Sequence, residues 1–418
     1  MNVADSQTIA SILCSSGFCL VDDIDLADIL IFNTCSVRKH AETRAIGRIS
    51  NEMARKRENP NLLIGVVGCM AQRKKSKLLK TGVDFVVGVD EYLYLPSVLS
   101  NLKPLEKSVS TKEDKTQTYE GVYPKRDKSH VGFVSIARGC NNFCSYCIVP
   151  YVRGRERSRS VVSICNEVKK AASEGISEVV LLGQNVNSYK YQKSNFSQLL
   201  GRVSEVEGIK RIRFITSHPK DLSFELIDQM RQNTKICEHI HLPLQSGDND
   251  ILAAMNRGYT IEHFYSLVDC LRENIADTSI TTDVMVGFPT ESSDQFENTL
   301  AAVEKIGFDT AFMFKYSTRS GTLAAKMGGQ IDESIKLSRL QKLIEVQSKI
   351  TQKKYAKKIG KTAEILVEGT SKKGGSQLFG KTRDFKIAVF DGDEKLIGKL
   401  VNIKITNSSS ATLKGELL

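Results

Sequence analysis

A loop that carries three closely spaced cysteines constrains this chain more than any other feature. Cys140, Cys144 and Cys147 form a CxxxCxxC pattern directly after an apolar, strand-like stretch, residues 131–137. This spacing lets one loop wrap three thiolates around a cubane iron–sulfur cluster, and the fourth iron then lacks a protein ligand and can bind a small molecule. A zinc site normally needs a fourth ligand nearby, which the flanks do not offer, and a disulfide cannot use three cysteines evenly. The pattern therefore predicts an iron–sulfur cluster with an open iron.

The composition fits a globular protein of a reducing compartment. The chain has 418 residues, of which 41% are hydrophobic and 26% charged, so it has room for two or three domains. No run approaches the roughly 18 apolar residues of a membrane span. The first residues lack the basic and apolar regions of a signal peptide, so we expect a cytoplasmic protein whose ten cysteines are thiols or metal ligands. The net charge of +11 favours a polyanionic partner, although a basic surface that binds nothing would carry the same charge.

The distribution of apolar runs predicts an α/β protein. In residues 1–101, short continuous apolar runs alternate with helix-like segments, which predicts a small α/β domain with a parallel sheet. Residues 102–130 lose this periodicity and are predicted to be a linker. In residues 131–358 the alternation returns six times, which predicts an incomplete barrel of six βα units, open on one side for a large substrate. The predicted strands are VGFVSIA, EVVLLG, IRFIT, HIHLPL, ITTDVMVG and TAFMFKYS.

The tail, residues 359–418, has a different pattern. Its β-rich segments TAEILVEG, FKIAVF, LIGKLVNIKIT and SATLKGEL, with Gly and Lys between them, predict a small antiparallel β-barrel. Residues 351–418 contain 14 Lys and Arg against 7 Asp and Glu, which gives a net charge of +7. A basic barrel at the end of a metal enzyme suggests a nucleic-acid-binding module, and a solvated lysine-rich surface is the alternative.

Motifs along the whole chain are similar to those of the radical S-adenosylmethionine (SAM) methylthiotransferases. They are NTCSVR at 33–38, GCMAQ at 68–72, the three-cysteine loop, GQNVNSY at 183–189, SHP at 217–219, HLPLQSG at 241–247, MNR at 255–257 and DVMVGFP at 283–289. The tail resembles the small RNA-binding barrel, called TRAM, that ends these enzymes. The CSVR and GQNVNSY motifs resemble the branch of the family that modifies tRNA more than the branch that modifies a ribosomal protein.

The resemblance implies a specific chemistry. A reduced 4Fe–4S cluster would cleave SAM to a 5′-deoxyadenosyl radical, which removes hydrogen from carbon 2 of N6-isopentenyladenosine next to the tRNA anticodon. A methylated sulfur would then come from a second 4Fe–4S cluster, with a second SAM as methyl donor. The expected partners are a tRNA anticodon stem-loop and an electron donor such as flavodoxin or ferredoxin, and the enzyme is expected to be a monomer. Two alternatives are methylthiolation of a ribosomal-protein side chain and a truncated tRNA-binding protein with impaired catalysis.

Four residues are candidates for SAM binding. Gln184 and Asn185, at the carboxyl end of the second barrel strand, are placed to bind the amino end of the methionine, or else are turn-forming amides. Gly287, at the end of the fifth strand, would let the adenine approach the backbone closely, unless it is a simple turn glycine. Arg257 could pair with the methionine carboxylate, and the alternative is a surface arginine at a helix end.

The second cluster has two candidate ligands. The resembling enzymes hold it with three N-terminal cysteines, the first in a Cys-Gln-Met-Asn motif after an opening strand. Cys35 and Cys69 follow their strands as expected, but the opening strand and the first ligand are missing here, so we expect either a true start upstream or an impaired second cluster. Cys14 and Cys19 could substitute, although a helix-like and a strand-like context favour buried apolar cysteines. The same interpretation applies to Cys165, Cys237 and Cys270.

Basic and imidazole side chains give weaker signals. Four arginines alternate in VRGRERSRS, residues 152–160, and alternation in an extended segment would place them on one side, where they could contact phosphates of an anticodon stem. His218 and His241 lie at predicted strand ends and could contact substrate, or could be hydrogen-bonded structural histidines.

Overall fold

The computed structural model describes residues 1–36, 39–103, 106–126, 129–371 and 376–418. The chain divides into two compact units, which are described separately. The first unit contains residues 1–127, 137–163 and 319–322. The second contains residues 128–136, 164–318 and 323–418. Within the described residues, every helix is too short or too polar to cross a membrane.

The first unit is built on a parallel sheet with helices on both faces. Its elements are α1 (Asn2–Ser15), β1 (Ile29–Thr34), α2 (Lys39–Glu58), β2 (Leu63–Gly68), α3 (Cys69–Lys74), β3 (Phe85–Val87), α4 (Leu95–Asn101) and β4 (Ser108–Ser110). The strands follow the order β1-β2-β3-β4, and every neighbouring pair is parallel. The predicted parallel α/β domain is therefore confirmed.

The two central strands of this sheet are buried on both faces. Along β2 and β3, Ile64, Val66 and Val86 belong to one apolar cluster, with residues of α2 and α3. Val67 and Phe85 point to the opposite face and belong to a second cluster, with residues of α1 and α4. Successive strand residues alternate between faces, so a strand buried on both sides appears in the sequence as a continuous apolar run.

The predicted linker, 102–130, is wrong in part. Residues Ser108–Ser110 form β4, which continues the parallel sheet beside β3. Tyr119 is buried in the core of the unit, and its hydroxyl donates to the carbonyl oxygen of Val89 at 2.8 Å. The sequence pattern fails here because β4 has only one apolar residue, and its pairing partner lies in a distant part of the sequence.

The first unit also contains the cysteine loop. It is bounded by β6 (Ala137–Arg138) and β7 (Arg157–Ser158), which form a short antiparallel ladder, and it includes α5 (Val149–Arg153). The loop is therefore tied at its base by main-chain hydrogen bonds.

The second unit contains the six predicted parallel strands. Its strands are β5 (Val131–Ser135), β8 (Glu178–Leu182), β11 (Arg211–Ile215), β12 (His239–His241), β13 (Ser279–Val286) and β14 (Thr310–Lys315). They form two parallel sheets, β5-β8-β11 and β12-β13-β14, with a parallel bridge between Ile212 and Ile236 where the two meet. Its helices are α7 (Phe196–Ser204), α8 (Phe224–Gln232), α9 (Asn249–Ala254), α10 (Ile261–Asn274), α11 (Ser293–Ile306) and α12 (Glu333–Ala356), and α6 (Val161–Ser173) begins at the boundary of the units. A small hairpin, β9 (Lys190–Tyr191) and β10 (Ser194–Asn195), precedes α7. The predicted six-stranded incomplete barrel is confirmed.

The tail forms a closed barrel of five strands, which confirms the predicted small β-barrel, although one pair, the first residues of 387–391 with 413–417, is parallel rather than antiparallel. Its strands are β15 (Thr362–Thr370), β16 (Gln377–Thr382), β17 (Ile387–Asp391), β18 (Leu400–Ser408) and β19 (Leu413–Leu417), in the order β15-β16-β17-β19-β18. The sequence pattern did not indicate β16, because QLFGKT lacks a sustained apolar alternation. Gly380 within it is required by packing, since a Cβ there would lie 2.0 Å from the carbonyl oxygen of Leu366 on β15.

The turn between β16 and β17 joins the tail barrel to the amino ends of the parallel strands. The Phe385 ring stacks on His239, the first residue of β12, with ring centroids 4.4 Å apart. Lys386 pairs with Asp309, just before β14, at 2.9 Å, and Arg383 pairs with Glu238 at 2.7 Å. The tail barrel is thus an integrated part of the second unit.

Candidate iron–sulfur and cofactor-binding sites

The backbone of the cysteine loop is closed by close main-chain contacts. The N–H of Cys140 donates to the carbonyl oxygen of Gly154 at 3.2 Å, and the N–H of Cys147 donates to that of Cys144 at 2.9 Å. Gly139 has φ +78°, and a Cβ there would lie 2.1 Å from the carbonyl oxygen of Arg155. Only glycine satisfies both conditions, so the Arg-Gly-Cys start of the loop has a direct structural cause.

The donor set of the loop fits an iron–sulfur cluster. The backbone N–H of Asn142 lies 3.5 Å from Sγ of Cys140, and that of Val149 lies 3.5 Å from Sγ of Cys147. Amides directed at sulfur stabilise the anionic thiolate, and hydrogen bonds of this kind tune iron–sulfur clusters. None of the ten cysteines forms a disulfide. In the part of the chain that the structure describes, no three His, Cys, Asp or Glu side chains converge on the position of a single metal ion. This does not count against a cubane cluster, because its three thiolate ligands bind three different irons and need not converge on one point.

An aromatic residue that the sequence pattern did not single out lies between the first two cysteines. Phe143 has φ +46°, its ring meets the Tyr151 ring edge to face at 6.0 Å, and the Arg155 guanidinium lies 4.2 Å above it. A bulky residue in the left-handed region is strained, and such strain persists where surrounding contacts hold it in place.

Cys35 and Cys69 lie side by side at the carboxyl edge of the N-terminal sheet. Each follows the last residue of its strand, and those residues, Thr34 and Gly68, are paired across the parallel ladder. The carboxyl ends of parallel strands are where ligand sites form in open α/β sheets. Val37 and Arg38, which complete the NTCSVR motif, lie outside the described residues.

A buried ionic network surrounds Cys69. The Nε–H of Arg153, in α5, donates to Sγ of Cys69 at 3.1 Å, and the same guanidinium pairs with Asp5 in α1. Asp5 also accepts from Arg138 at 3.1 Å. Asp5, Arg138 and Arg153 are all less than a tenth exposed. Arg138, before the three cysteines, and Arg153, after them, thus both bind Asp5 of α1, close to Cys69.

The network shifts the pKa values of its members. Burial alone would raise the pKa of Asp5, but the two guanidiniums outweigh it and hold that pKa below its usual value. For Cys69, burial dominates and raises the pKa of the thiol, while Arg153 acts in the opposite direction. A donated hydrogen bond and a nearby positive charge both favour thiolate, which is the form that binds iron.

The proposed row of phosphate-binding arginines is wrong for three of its four members. Arg153 is in a helix and is committed to Cys69 and Asp5. Arg157 pairs with Asp90 at 2.9 Å, and Arg159 is 4% exposed and donates to Ser163. Only Arg155 is exposed. Arg153 and Arg157 therefore belong to buried ion pairs, and Arg159 to a buried hydrogen bond, rather than to a face presented to RNA.

Cys14 does not lie near Cys35 and Cys69. It is in the last turn of α1, whereas Asn2 at the start of the same helix contacts Asn33 near the end of β1. At 1.5 Å rise per residue the helix separates these ends by about 18 Å. Cys14 and Cys19 instead line a mainly apolar cavity beside α1 and β1.

The expected context of several other cysteines needs correction. Cys19 is exposed and outside any strand, so the predicted buried strand position is wrong. Cys237 is buried as expected. Cys165 and Cys270 are half-buried on α6 and α10.

In the second unit, buried polar atoms cluster at the carboxyl ends of β8 and β11. Oε1 of Gln184, Oδ1 of Asn185, Oγ of Ser217 and Nε2 of His218 are buried and have no hydrogen-bond partner within the described chain. An unsatisfied buried polar atom costs about 1–3 kcal/mol, so several at one place indicate a polar ligand site. Gln184 and Asn185 were predicted to bind SAM, and the structure places them in this cluster.

His218 in this cluster is a neutral imidazole. Burial, together with the positive charges of Arg257 and Lys220, lowers its pKa to about 2. Its Nδ1 accepts from the N–H of Lys220 at 3.3 Å, which leaves Nε2 to carry the proton. His218 therefore offers a neutral donor to a ligand.

Arg257 is not on the surface. It is 4% exposed, and its guanidinium donates to the carbonyl oxygen of Pro243 at 3.1 Å and to the Tyr259 hydroxyl at 3.2 Å. Gly287 has φ +71°, and a Cβ there would lie 2.4 Å from Cγ of Lys336 on α12. Close packing of Lys336 explains this glycine without an adenine.

Comparison with known proteins follows the same three-part organisation. Family models match residues 134–303 (Radical SAM superfamily), residues 1–88 (Uncharacterized protein family UPF0004) and residues 356–418 (TRAM domain). Among solved structures, the radical S-adenosylmethionine methyltransferase TsrM from Kitasatospora setae, with cobalamin and a 4Fe–4S cluster bound, has a TM-score of 0.60 at 15% identity, over 76% of this chain and 73% of that one. Identity this low shows a shared fold alone.

Several relatives match over the full length of this chain, two of them from Thermoanaerobacter pseudethanolicus and Phocaeicola vulgatus. The tRNA-2-methylthio-N(6)-dimethylallyladenosine synthase of Thermoanaerobacter pseudethanolicus is 47% identical over 100% of this chain and 90% of its own length. The enzyme of the same name from Phocaeicola vulgatus is 45% identical over 100% of this chain and 93% of its own length. Identity at this level along all three parts shows common membership, and the chain belongs to the tRNA methylthiotransferases of the radical SAM superfamily.

Proposed function

We propose that this protein attaches a methylthio group to carbon 2 of N6-dimethylallyladenosine, also called N6-isopentenyladenosine, next to the anticodon of tRNA. The observation that carries the proposal is full-length identity of 45–47% to synthases of this modified nucleoside. Both relatives are named as enzymes of tRNA, which favours tRNA over the ribosomal-protein alternative. We propose a cytoplasmic, monomeric enzyme that receives electrons from a flavodoxin or ferredoxin.

Cys140, Cys144 and Cys147 are the proposed ligands of the radical-generating 4Fe–4S cluster. When bound, this cluster and SAM supply a radical able to remove hydrogen from an unactivated carbon. The loop contributes three thiolates, and its amides at Asn142 and Val149 stabilise their negative charge.

Cys35 and Cys69 are the proposed ligands of the second 4Fe–4S cluster. Their strands bring them to one edge of the sheet, and Arg153 donates a hydrogen bond to Cys69. That hydrogen bond positions the sulfur and stabilises its anionic form.

Gln184 and Asn185 are the proposed contacts for the polar end of SAM. Their buried oxygens are acceptors without partners, which suits the ammonium group of a methionine. His218 supplies a neutral donor in the same cluster. Arg257 and Gly287 are weaker candidates, because each has a structural role that accounts for it.

The direct test is product formation by the reconstituted enzyme. Anaerobically reconstituted protein, SAM, a reductant and an anticodon stem-loop that carries N6-dimethylallyladenosine are expected to yield the 2-methylthio product, detected by mass spectrometry of the nucleosides. Cys144→Ala should abolish the product, whereas Cys165→Ala, a half-buried cysteine on α6, should not. Product on a ribosomal protein, with none on RNA, would contradict the proposal.

A further inference from the structure

The inner face of the parallel strands in the second unit carries an unusual exposed aromatic side chain. Phe312 on β14 is 47% exposed. The register pairs Phe312 with Asp283 on β13 and His241 with Thr281, so these side chains share one face. The opposite face contains Ile240, Ile280 and Val284, all fully buried beneath the helices. The face that carries Phe312 is therefore the concave inner one.

Phe312 is the centre of a small patch that has an apolar side and a polar side. Met285 and Phe314, the next pair along the ladder on the same face, are both half-buried. The His241 ring approaches the Phe312 ring edge to face, with centroids 5.9 Å apart. We call Asp283, His241, Met285, Phe312 and Phe314 the Phe312 patch.

The polar side of the patch is held in place by neighbouring groups. Nδ1 of His241 lies 3.0 Å from Oγ1 of Thr281, and Nε2 lies 3.5 Å from Oδ2 of Asp283. Asp283 has 29% of its side chain exposed, so its carboxylate is accessible to a ligand. Hydrogen-bonding groups directly beside an accessible aromatic and aliphatic surface are the composition of a small-molecule site.

The substrate named by the relatives has the complementary chemistry. An adenine has N–H donors and ring-nitrogen acceptors, and its N6-dimethylallyl group adds a branched five-carbon apolar tail. Burial of that tail requires an apolar surface that is accessible in the protein without substrate. An exposed Phe ring on an inner strand face provides one, because the aromatic surface is already ordered and loses little conformational freedom on binding.

We propose that the Phe312 patch binds the N6-dimethylallyl adenine of the substrate, with Phe312 in contact with the dimethylallyl tail. Phe312 is then a residue that selects prenylated over unmodified tRNA. This inference rests on the proposed function and names the part of the same site that recognises the prenyl group. One methylene in a closed apolar pocket changes binding by about 10- to 200-fold. Phe312 is half exposed and would cover only part of the tail, so we expect the whole tail to give a preference of about 10- to 100-fold.

The test compares two anticodon stem-loop RNAs that differ only in the dimethylallyl group. Their affinities for the reconstituted enzyme are measured by fluorescence anisotropy, and the ratio of the two dissociation constants is the readout. Phe312→Ala should reduce the preference about 10-fold through weaker binding of the prenylated RNA. Phe312→Leu keeps an apolar side chain and should retain most of the preference. Phe224→Ala, which removes a ring 65% exposed on the outer helix α8, is the matched control and should retain all of it.

The possible outcomes separate the two proposals. If Phe312→Ala keeps the wild-type ratio, or if wild-type enzyme binds both RNAs equally, Phe312 does not recognise the tail and the inference is wrong. Product formation on the prenylated RNA would still support the proposed function in that case. A loss of preference in Phe312→Ala with retention in Phe312→Leu and Phe224→Ala supports the inference, and the leucine variant shows that the site is folded.

Discussion

Substitution of Arg213 should loosen the tail barrel from the parallel strands. Arg213 lies on β11, and its side chain is fully buried. Its guanidinium donates to Oε1 of Glu178 at 2.7 Å and to the carbonyl oxygens of Thr382 and Arg383, in the tail barrel, at 2.6 and 2.7 Å. One side chain thus joins a neighbouring strand and the tail through hydrogen bonds.

Arg213→Met should lower stability because it leaves the buried carboxylate of Glu178 without its closest guanidinium. Glu178 is 2% exposed, and its nearest remaining guanidinium would be Arg211, at 3.7 Å. Removal of one partner from a buried ion pair costs about 3–5 kcal/mol, because the remaining charge stays buried. Methionine has a similar volume, so the change reports mainly on charge and hydrogen bonds.

The measurement is urea unfolding under anaerobic conditions, followed by circular dichroism, with limited proteolysis of the segment between α12 and β15. Arg202→Met is the matched control, because Arg202 is 65% exposed and pairs with Glu205 on the surface. Its substitution should change the free energy of unfolding by less than about 1 kcal/mol. We expect Arg213→Met to be destabilised by about 3 kcal/mol or more and to be cut faster between the barrels.

The reasoning is refuted if Arg213→Met and Arg202→Met unfold within about 1 kcal/mol of each other. The result also bears on how the tail can be studied. If the tail barrel stabilises the parallel strands, its deletion would unfold the site as well as remove the surface that binds RNA. Surface substitutions are then the correct test of RNA binding.

Three further predictions concern the clusters, the ionic network and RNA. Cys140→Ala should abolish cleavage of SAM, measured as 5′-deoxyadenosine, because two thiolates do not hold a cubane with one open iron, whereas Cys165→Ala should retain it. The folded-state pKa of Asp5 is depressed, so its contribution to stability is present above its unfolded pKa of about 4 and is lost as pH falls below it. Asp5→Asn should therefore lower stability at pH 7 and flatten its decline between about pH 5 and 2 in pH-dependent urea unfolding. Lys404 and Lys414 are exposed on the tail barrel. Substitution of both by Gln should weaken tRNA binding, and the slope of log affinity against log salt concentration should fall by about one for each phosphate that a lysine no longer neutralises. Unchanged affinity and slope would show that the RNA binds elsewhere.

The sequence alone determined most of the architecture. The six parallel strands of the second unit were predicted from apolar runs, and each run overlaps an observed strand. This succeeded because a strand buried on both faces has a local signature that needs no knowledge of its partners. The same holds for the three-cysteine loop, in which the spacing itself encodes the chemistry.

Only the tertiary structure decided which charged side chains are buried in ion pairs and which are exposed to solvent. Arg153 pairs with Asp5, which lies 148 residues away in the sequence, so no local pattern could show that this arginine is buried rather than directed at RNA. Strand β4 forms because β3 offers it an edge, and its three residues carry no apolar run. The docking of Arg383 and Lys386 on the parallel strands likewise depends on partners distant in the chain.

The physical reason is the range over which each property is encoded. Secondary structure and metal-ligand spacing depend on neighbours within a few residues, so they can be predicted from the sequence itself. The burial of a charge depends on whether an opposite charge is brought beside it by folding, since an unpaired buried charge is too costly to persist. A run of arginines has the same local sequence in both cases, and the fold decides which of them reach the solvent.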